Sequence, residues 1–235
     1  MNGAAAENPK TEARKKICVV VPHFKDEYWL SVGFGLITEA NSAGAEVLLY
    51  ESGGYHALQR QIRLLSTCIS REVDAVLFGA VSADDPKLLV AVQNAAKDVP
   101  VIALVNELNS PFLSGAVGVD WREMGRAIGK YLSAAHPSGG DRISAVLVTG
   151  PEKSGWSPIL ETGLQDGLAN SSVQIEIVGR SDTGLREQLA EVERTLRQKP
   201  EVDLIIGSAP AIEGAMGLAA NSGGGFPSLI ATYIS

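Results

Sequence analysis

From Lys16 onward the chain alternates between short β-branched runs and longer stretches in which apolar residues recur at helical spacing. The runs are KICVVV (16–21), AEVLLY (45–50), DAVLFGAV (74–81), VPVIALV (99–105), AVGV (116–119), RISAVLV (142–148), VQIEIVG (173–179), VDLIIGS (202–208) and SLIATYI (228–234). Most are too continuously apolar to leave one face in water, which is the pattern of parallel strands covered on both sides. Helices are predicted between them over 28–42, 57–71, 86–97, 121–135, 159–170, 185–199 and 211–221. Their ends carry signals: Gly44 stops the first, Asp84 and Asp85 precede the third, and Leu58, Ile62, Leu65 and Ile69 share one face of the second.

Strand followed by helix at about 25 to 30 residues per unit is a βαβ series, so parallel sheets with right-handed crossovers are expected. The series breaks once, at the long polar connection NELNSPFLSGA (106–116), and a second series begins after the short strand AVGV. The expectation is an α/β chain of two Rossmann-like lobes, 16–115 and 116–235, behind a flexible segment over 1–15.

Charge narrows the partners. Lys and Arg number 20 against 27 Asp and Glu, a net charge of −7, with no basic cluster longer than Arg14, Lys15 and Lys16. Nucleic acid is excluded as a partner, because phosphate neutralisation needs a positive face. No stretch approaches the roughly 18 apolar residues of a membrane span. Residues 1–16 lack the apolar core of a secretory leader, so either the chain is cytoplasmic or its leader is absent from this sequence.

The chemical motifs mostly fail. The segment after the first strand, PHFKDEYW (22–29), has none of the glycines a dinucleotide needs, and Gly33-Phe34-Gly35 falls inside a helix. GPEKSG (150–155) lacks the Gly-Lys-Ser/Thr ending of a phosphate loop, and Pro210 stands where a nucleophile elbow around Ser208 requires glycine. His23, His56 and His136 show no metal-ligand spacing; His136 reads as a surface residue, and the other two, which follow strand ends, as solvated loop histidines or, alternatively, polar contacts to a ligand. No cofactor, metal or catalytic group is expected.

Aromatic residues are more informative. Of the three Trp and five Tyr, Tyr28, Trp29, Tyr55, Trp121, Trp156 and Tyr233 all fall near the carboxyl ends of predicted strands, where open parallel sheets bind ligands; Tyr131, mid-helix, reads as core. Ring faces carry negative potential, so several around a small cavity favour a cation, above all a quaternary ammonium. Asp26, Glu27, Asp120 and Asp182 lie on the same loops, with helix capping or solvated charge the plainer reading of Glu27 and Asp182. Stacking on a sugar ring is also compatible with such a wall.

The stretches PHFKDEYWLSVGFGLITEA (22–40), ESGGY (51–55), VGVDWREMGRAIGKYL (117–132), HPSG, VTGP, ETG, IIGSAPAIEGA (205–215) and ATYIS give the chain a closer likeness. It resembles the type I periplasmic binding proteins and, among them, the sensors of trimethylamine N-oxide (TMAO) that signal to the periplasmic domain of a membrane histidine kinase in a two-component system. The resemblance implies an aromatic cage around TMAO or a related methylamine, carried over to Tyr28, Trp29, Tyr55, Trp121 and Tyr233; Asp26, Asp120 and Trp156 are further candidates from their positions on the same loops, Trp156 lying in the least family-like segment, GPEKSGWSP. It implies a periplasmic location and no catalysis. The family's chain continues past ATYIS, so the fold is expected to be C-terminally incomplete. A sugar-binding protein of a transporter or chemotaxis system is the alternative. An enzyme would need a nucleophile or acid/base pair, and a repressor's effector domain a helix-turn-helix headpiece; neither is visible. In an oxidising periplasm Cys18, on the first strand, and Cys68, late in a helix that packs on it, are placed to form a disulfide; buried free thiols are the other outcome.

Overall fold

The structure, a computed structural model, describes residues 14–233, so the segment expected over 1–15 lies outside the described residues except for Arg14 and Lys15, as do Ile234 and Ser235. Strands β1 (Lys16–Val21), β2 (Glu46–Glu51), β3 (Ala75–Phe78), β4 (Val101–Val105) and β5 (Gly115–Gly118) form one parallel sheet in the order β2-β1-β3-β4-β5. Helices α1 (Glu27–Ser42), α2 (Leu58–Ser70) and α3 (Pro86–Ala95) connect its first four strands. Then α4 (Trp121–Ala135) leads into β6 (Ile143–Thr149), α5 (Ser157–Gly167), β7 (Val173–Arg180), α6 (Leu185–Gln198), β8 (Leu204–Gly207), α7 (Ala209–Ala220) and β9 (Ser228–Ala231), whose strands pair in parallel as β7-β6-β8-β9.

Alternation of side chains along each central strand splits the cores. In the first lobe Cys18 and Val20 pack with Leu65, Leu88 and Val92 of α2 and α3, while Val19 and Val21 pack with Trp29 and Val32 of α1. In the second, Ala145 and Leu147 face α4 and α5, and Val146 and Val148 face α6 and α7. Cys18 and Cys68 are joined, their Cα atoms 5.7 Å apart, which ties α2 to β1. Between α4 and α5 the backbones touch because glycines line both: a Cβ on Gly163 would stand 1.9 Å from the Arg122 carbonyl oxygen.

Three expectations are corrected. The AVGV run does not open the second lobe: β5 pairs with β4 from Ile102↔Gly115 to Val105↔Gly118, so the first sheet extends past the expected division at 115/116 and the chain crosses between Gly118 and Trp121. Close approach explains the pairing, since a Cβ on Gly118 would lie 2.8 Å from the Val105 carbonyl oxygen. The run 74–81 is a strand only to Phe78; beyond it the buried Gln61 side chain replaces the ladder, donating to the Gly79 carbonyl at 2.9 Å and accepting from Val81 N at 2.9 Å. Tyr131 is 62% exposed, because the buried stripe of α4 runs through Trp121, Gly125, Gly129 and Leu132 and passes it by.

Candidate functional site

The carboxyl ends of both sheets face each other and bring six aromatic residues together. Asp26 caps α1, its Oδ1 accepting from Trp29 N at 2.9 Å, which fixes the first turn and delivers Tyr28 and Trp29 to the cleft. Trp29 fits beneath Gly79, where a Cβ would come within 2.5 Å of the indole. Tyr55 comes from the turn after β2, Trp121 opens α4, Trp156 precedes α5, and Tyr233 follows β9. Across the lobes the ring centroids of Tyr28 lie 5.7 Å from Tyr233 and 6.0 Å from Trp121, and within the second lobe Trp156 lies 5.4 Å from Trp121 and 5.9 Å from Tyr233. Such contacts prefer the tilted and edge-on geometries found here.

These rings, with Asp26, Val105, Asn106 and Thr183, line a cavity of about 10 Å³, about the room one water needs. A neighbouring cleft of about 250 Å³ shares Asp26, Tyr28 and Tyr233 and adds the carboxylates of Glu27 and Glu213 against the one ammonium of Lys25, so its approach is net negative. Burial, followed by the charge of Asp26, raises the pKa of both Tyr28 and Tyr233. Burial also raises that of Tyr55, whose hydroxyl accepts a hydrogen bond from Asn106 Nδ2 at 3.1 Å. The three phenols therefore stay neutral donors at physiological pH.

Two features at the edge of the cage carry cost. Val105 has φ +67°, a left-handed conformation that a β-branched residue adopts only under constraint, at about 1–3 kcal/mol. That turn points its carbonyl at Trp121 Nε1, 3.1 Å away, and is followed directly by Asn106. Trp156 Nε1 and Asn106 Oδ1 are both buried without a hydrogen-bond partner among the described residues, and each such atom costs about 1–3 kcal/mol.

Beside the cage a polar network joins the lobes. His23 is fully buried; its Nδ1 accepts from Lys25 N at 3.1 Å, which leaves the proton on Nε2, 3.0 Å from Thr183 Oγ1 and 3.2 Å from Asp182 Oδ1. Thr183 Oγ1 in turn donates to Asp26 Oδ2 at 2.6 Å. Asp182 Oδ2 accepts from Tyr55 N at 3.2 Å and lies 3.3 Å from His56 Nδ1. Burial pushes the Asp182 pKa up, but the His23 hydrogen bond, the Lys25 ammonium and the Thr183 N–H outweigh it, and the net shift is downward. Farther along, Glu107 N donates to the Gly155 carbonyl at 2.8 Å, and a Cβ on Gly155 would collide with the Glu107 carbonyl oxygen at 2.0 Å.

Of the sequence candidates, Tyr28, Trp29, Tyr55, Trp121, Tyr233, Asp26 and Trp156 meet at this cavity. Asp120 does not: it is exposed, and its Oδ1 is taken by Glu123 N at 2.8 Å as the cap of α4. His23 is corrected from a solvated loop residue to a buried one, and Asp182 from a cap to an interlobe acceptor, because their partners come from the opposite lobe. Asn106 and Thr183 escaped the sequence reading; the only signal for Asn106 was a polar residue directly after an apolar strand. Among the described residues no group of three or more His, Cys, Asp or Glu could hold a metal, and no helix is long and apolar enough to cross a membrane.

The profile of the periplasmic binding protein domain matches residues 17–232. The chain belongs to the periplasmic binding protein family. Members of this family are periplasmic and bind ligands without transforming them, and an oxidising periplasm is where a disulfide such as Cys18–Cys68 persists. The chain is similar to periplasmic protein TorT of Escherichia coli K12, 32% identical over 209 residues that cover 88% of this chain and 59% of that protein. It therefore spans about 59% of the length of that curated relative. Among solved structures, the complex of TorT with the TorS sensor domain in the presence of TMAO is 32% identical at a TM-score of 0.78, covering 94% of this chain and 74% of that one. A solute-binding protein of an ABC transporter from Bradyrhizobium sp. BTAi1, with bound bis-tris, is 34% identical at a TM-score of 0.72, covering 95% and 67%.

Proposed function

We propose that this periplasmic binding protein is a sensor that takes TMAO or a related methylamine into the aromatic cage and presents the closed form to the periplasmic domain of a membrane histidine kinase. The observation that carries the reading is the ring cluster itself, in which Tyr28 and Trp29 of one lobe meet Trp121, Trp156 and Tyr233 across the cleft, with the Asp26 carboxylate at its rim. Likeness to TorT supports the kinase as the partner. A cavity of about 10 Å³ is smaller than any methylated amine, so entry requires the rings to part, and because they belong to two lobes the parting is an opening of the cleft. Each desolvated cation–π contact contributes about 2 kcal/mol or less, so three or four offset the ordering cost and leave micromolar affinity, about −8 kcal/mol.

Calorimetry with TMAO, choline and glucose tests the reading. TMAO is expected to bind, and Trp29→Ala or Trp121→Ala to weaken it at least tenfold, about 1.4 kcal/mol. Heat with glucose and none with TMAO would replace the reading by the sugar-binding one.

A further inference from the structure

The cage holds three indoles, and their N–H groups are committed differently. Trp121 Nε1 donates to the Val105 carbonyl at 3.1 Å, and the Trp29 indole is wedged beneath Gly79, where a Cβ would come within 2.5 Å of it. Trp156 Nε1 has no acceptor among the described residues, although the residue is only 2% exposed. The ring is held from three sides: its Cζ2 edge lies so close to Gly150 that a Cβ there would fall 2.1 Å away, and it meets Trp121 and Tyr233 at 5.4 and 5.9 Å. It has no freedom to turn toward a protein acceptor.

Asn106 supplies the complementary fact. Its Nδ2 spends both protons, on the Tyr55 hydroxyl at 3.1 Å and the Ala80 carbonyl at 2.8 Å, so the amide shows the cavity only Oδ1, an acceptor without a donor. An anionic oxygen is repelled there and attracted to an unspent N–H, whereas polarised N-methyl groups suit a carbonyl oxygen.

We propose that Trp156 Nε1 is the donor that holds the oxygen of a bound amine N-oxide, making Trp156 the residue by which this site tells an N-oxide from a quaternary ammonium ion of the same size. The inference rests on the sensor reading above and assigns a specificity role within it. Ring faces attract the methylated nitrogen of both molecules and the Asp26 carboxylate favours the one with net positive charge, so a preference for the net-neutral N-oxide has to come from groups that read the oxygen.

The test compares TMAO with tetramethylammonium, which keeps the methylated cation and lacks the oxygen. In Trp156→Phe, which preserves an aromatic face without the N–H, the ratio of TMAO to tetramethylammonium affinity is expected to fall at least tenfold. In the wild-type chain with ¹⁵N-labelled tryptophan, one indole N–H resonance is expected to move downfield with TMAO and not with tetramethylammonium. A ratio within twofold of wild type overturns the inference and leaves Trp156 as packing. If the variant fails to fold, the resonances decide: no TMAO-specific indole shift overturns it equally. A wild-type chain that binds neither ion overturns the sensor reading as well, whereas TMAO binding with an unchanged ratio in the variant overturns the inference alone.

Discussion

Replacing Cys18 and Cys68 together by alanine removes a cross-link between positions 50 apart in sequence. In the chain-entropy account a loop of that length restricts the unfolded chain by about 14 cal/mol/K, or about 4 kcal/mol at 25 °C. For a chain of this size 1 kcal/mol moves Tm by about 2–4 °C, so the double variant is expected to melt about 8–16 °C below the wild type. Both sulfurs are fully buried among Val20, Leu65 and Val76 on the α2/α3 side of the sheet, while the cage adjoins the α1 side. Ligand affinity well below Tm should therefore stay within twofold. Circular-dichroism melts with and without a reductant check both halves: the reductant should lower the wild-type Tm toward that of the variant and leave the variant unchanged. A difference under about 2 °C would refute the loop-entropy reasoning.

Two further outcomes follow from the geometry. Asp182 has a folded-state pKa below its unfolded value near 3.9, so it adds stability that is fully present above that pH and is lost as pH falls through the folded pKa; Asp182→Asn should flatten the decline of stability between about pH 5 and 2, and equal slopes in titrated melts would count against the interlobe role. Gly163→Ala forces a Cβ to 1.9 Å from the Arg122 carbonyl oxygen and should cost about 1–3 kcal/mol as α4 and α5 separate, which an unchanged urea midpoint would contradict.

The two-sheet architecture was legible because parallel strands covered on both faces leave continuous apolar runs, and KICVVV and RISAVLV are of that kind. The edge strand β5 was not placed correctly, since its four exposed residues, Gly115 to Gly118, carry no burial pattern to assign them to either lobe. The aromatic half of the candidate site could be read because Trp and Tyr after strand ends mark one edge of a sheet. Its polar half could not: whether His23 is buried depends on Thr183, 160 residues away, and the same holds for Asp26 and for Tyr55 with Asp182. Asn106 acquires its meaning from the left-handed turn at Val105, which no propensity of valine would suggest.

The ring cluster is also a piece of hydrophobic core that neither lobe owns, since Val19, Val21 and Trp29 join Trp121, Trp156 and Leu160 in one contiguous set. Separating the lobes thus resembles a partial unfolding event in its heat capacity. Uncovering about 500 Å² of such surface raises the heat capacity by about 0.2 kcal/mol/K. Hydrophobic cohesion weakens on cooling, so the balance between open and shut forms tilts toward open in the cold and toward shut with warmth. On the proposed sensor reading, the threshold of ligand at which the cleft closes is a function of temperature, fixed by the same rings that would recognise the ligand.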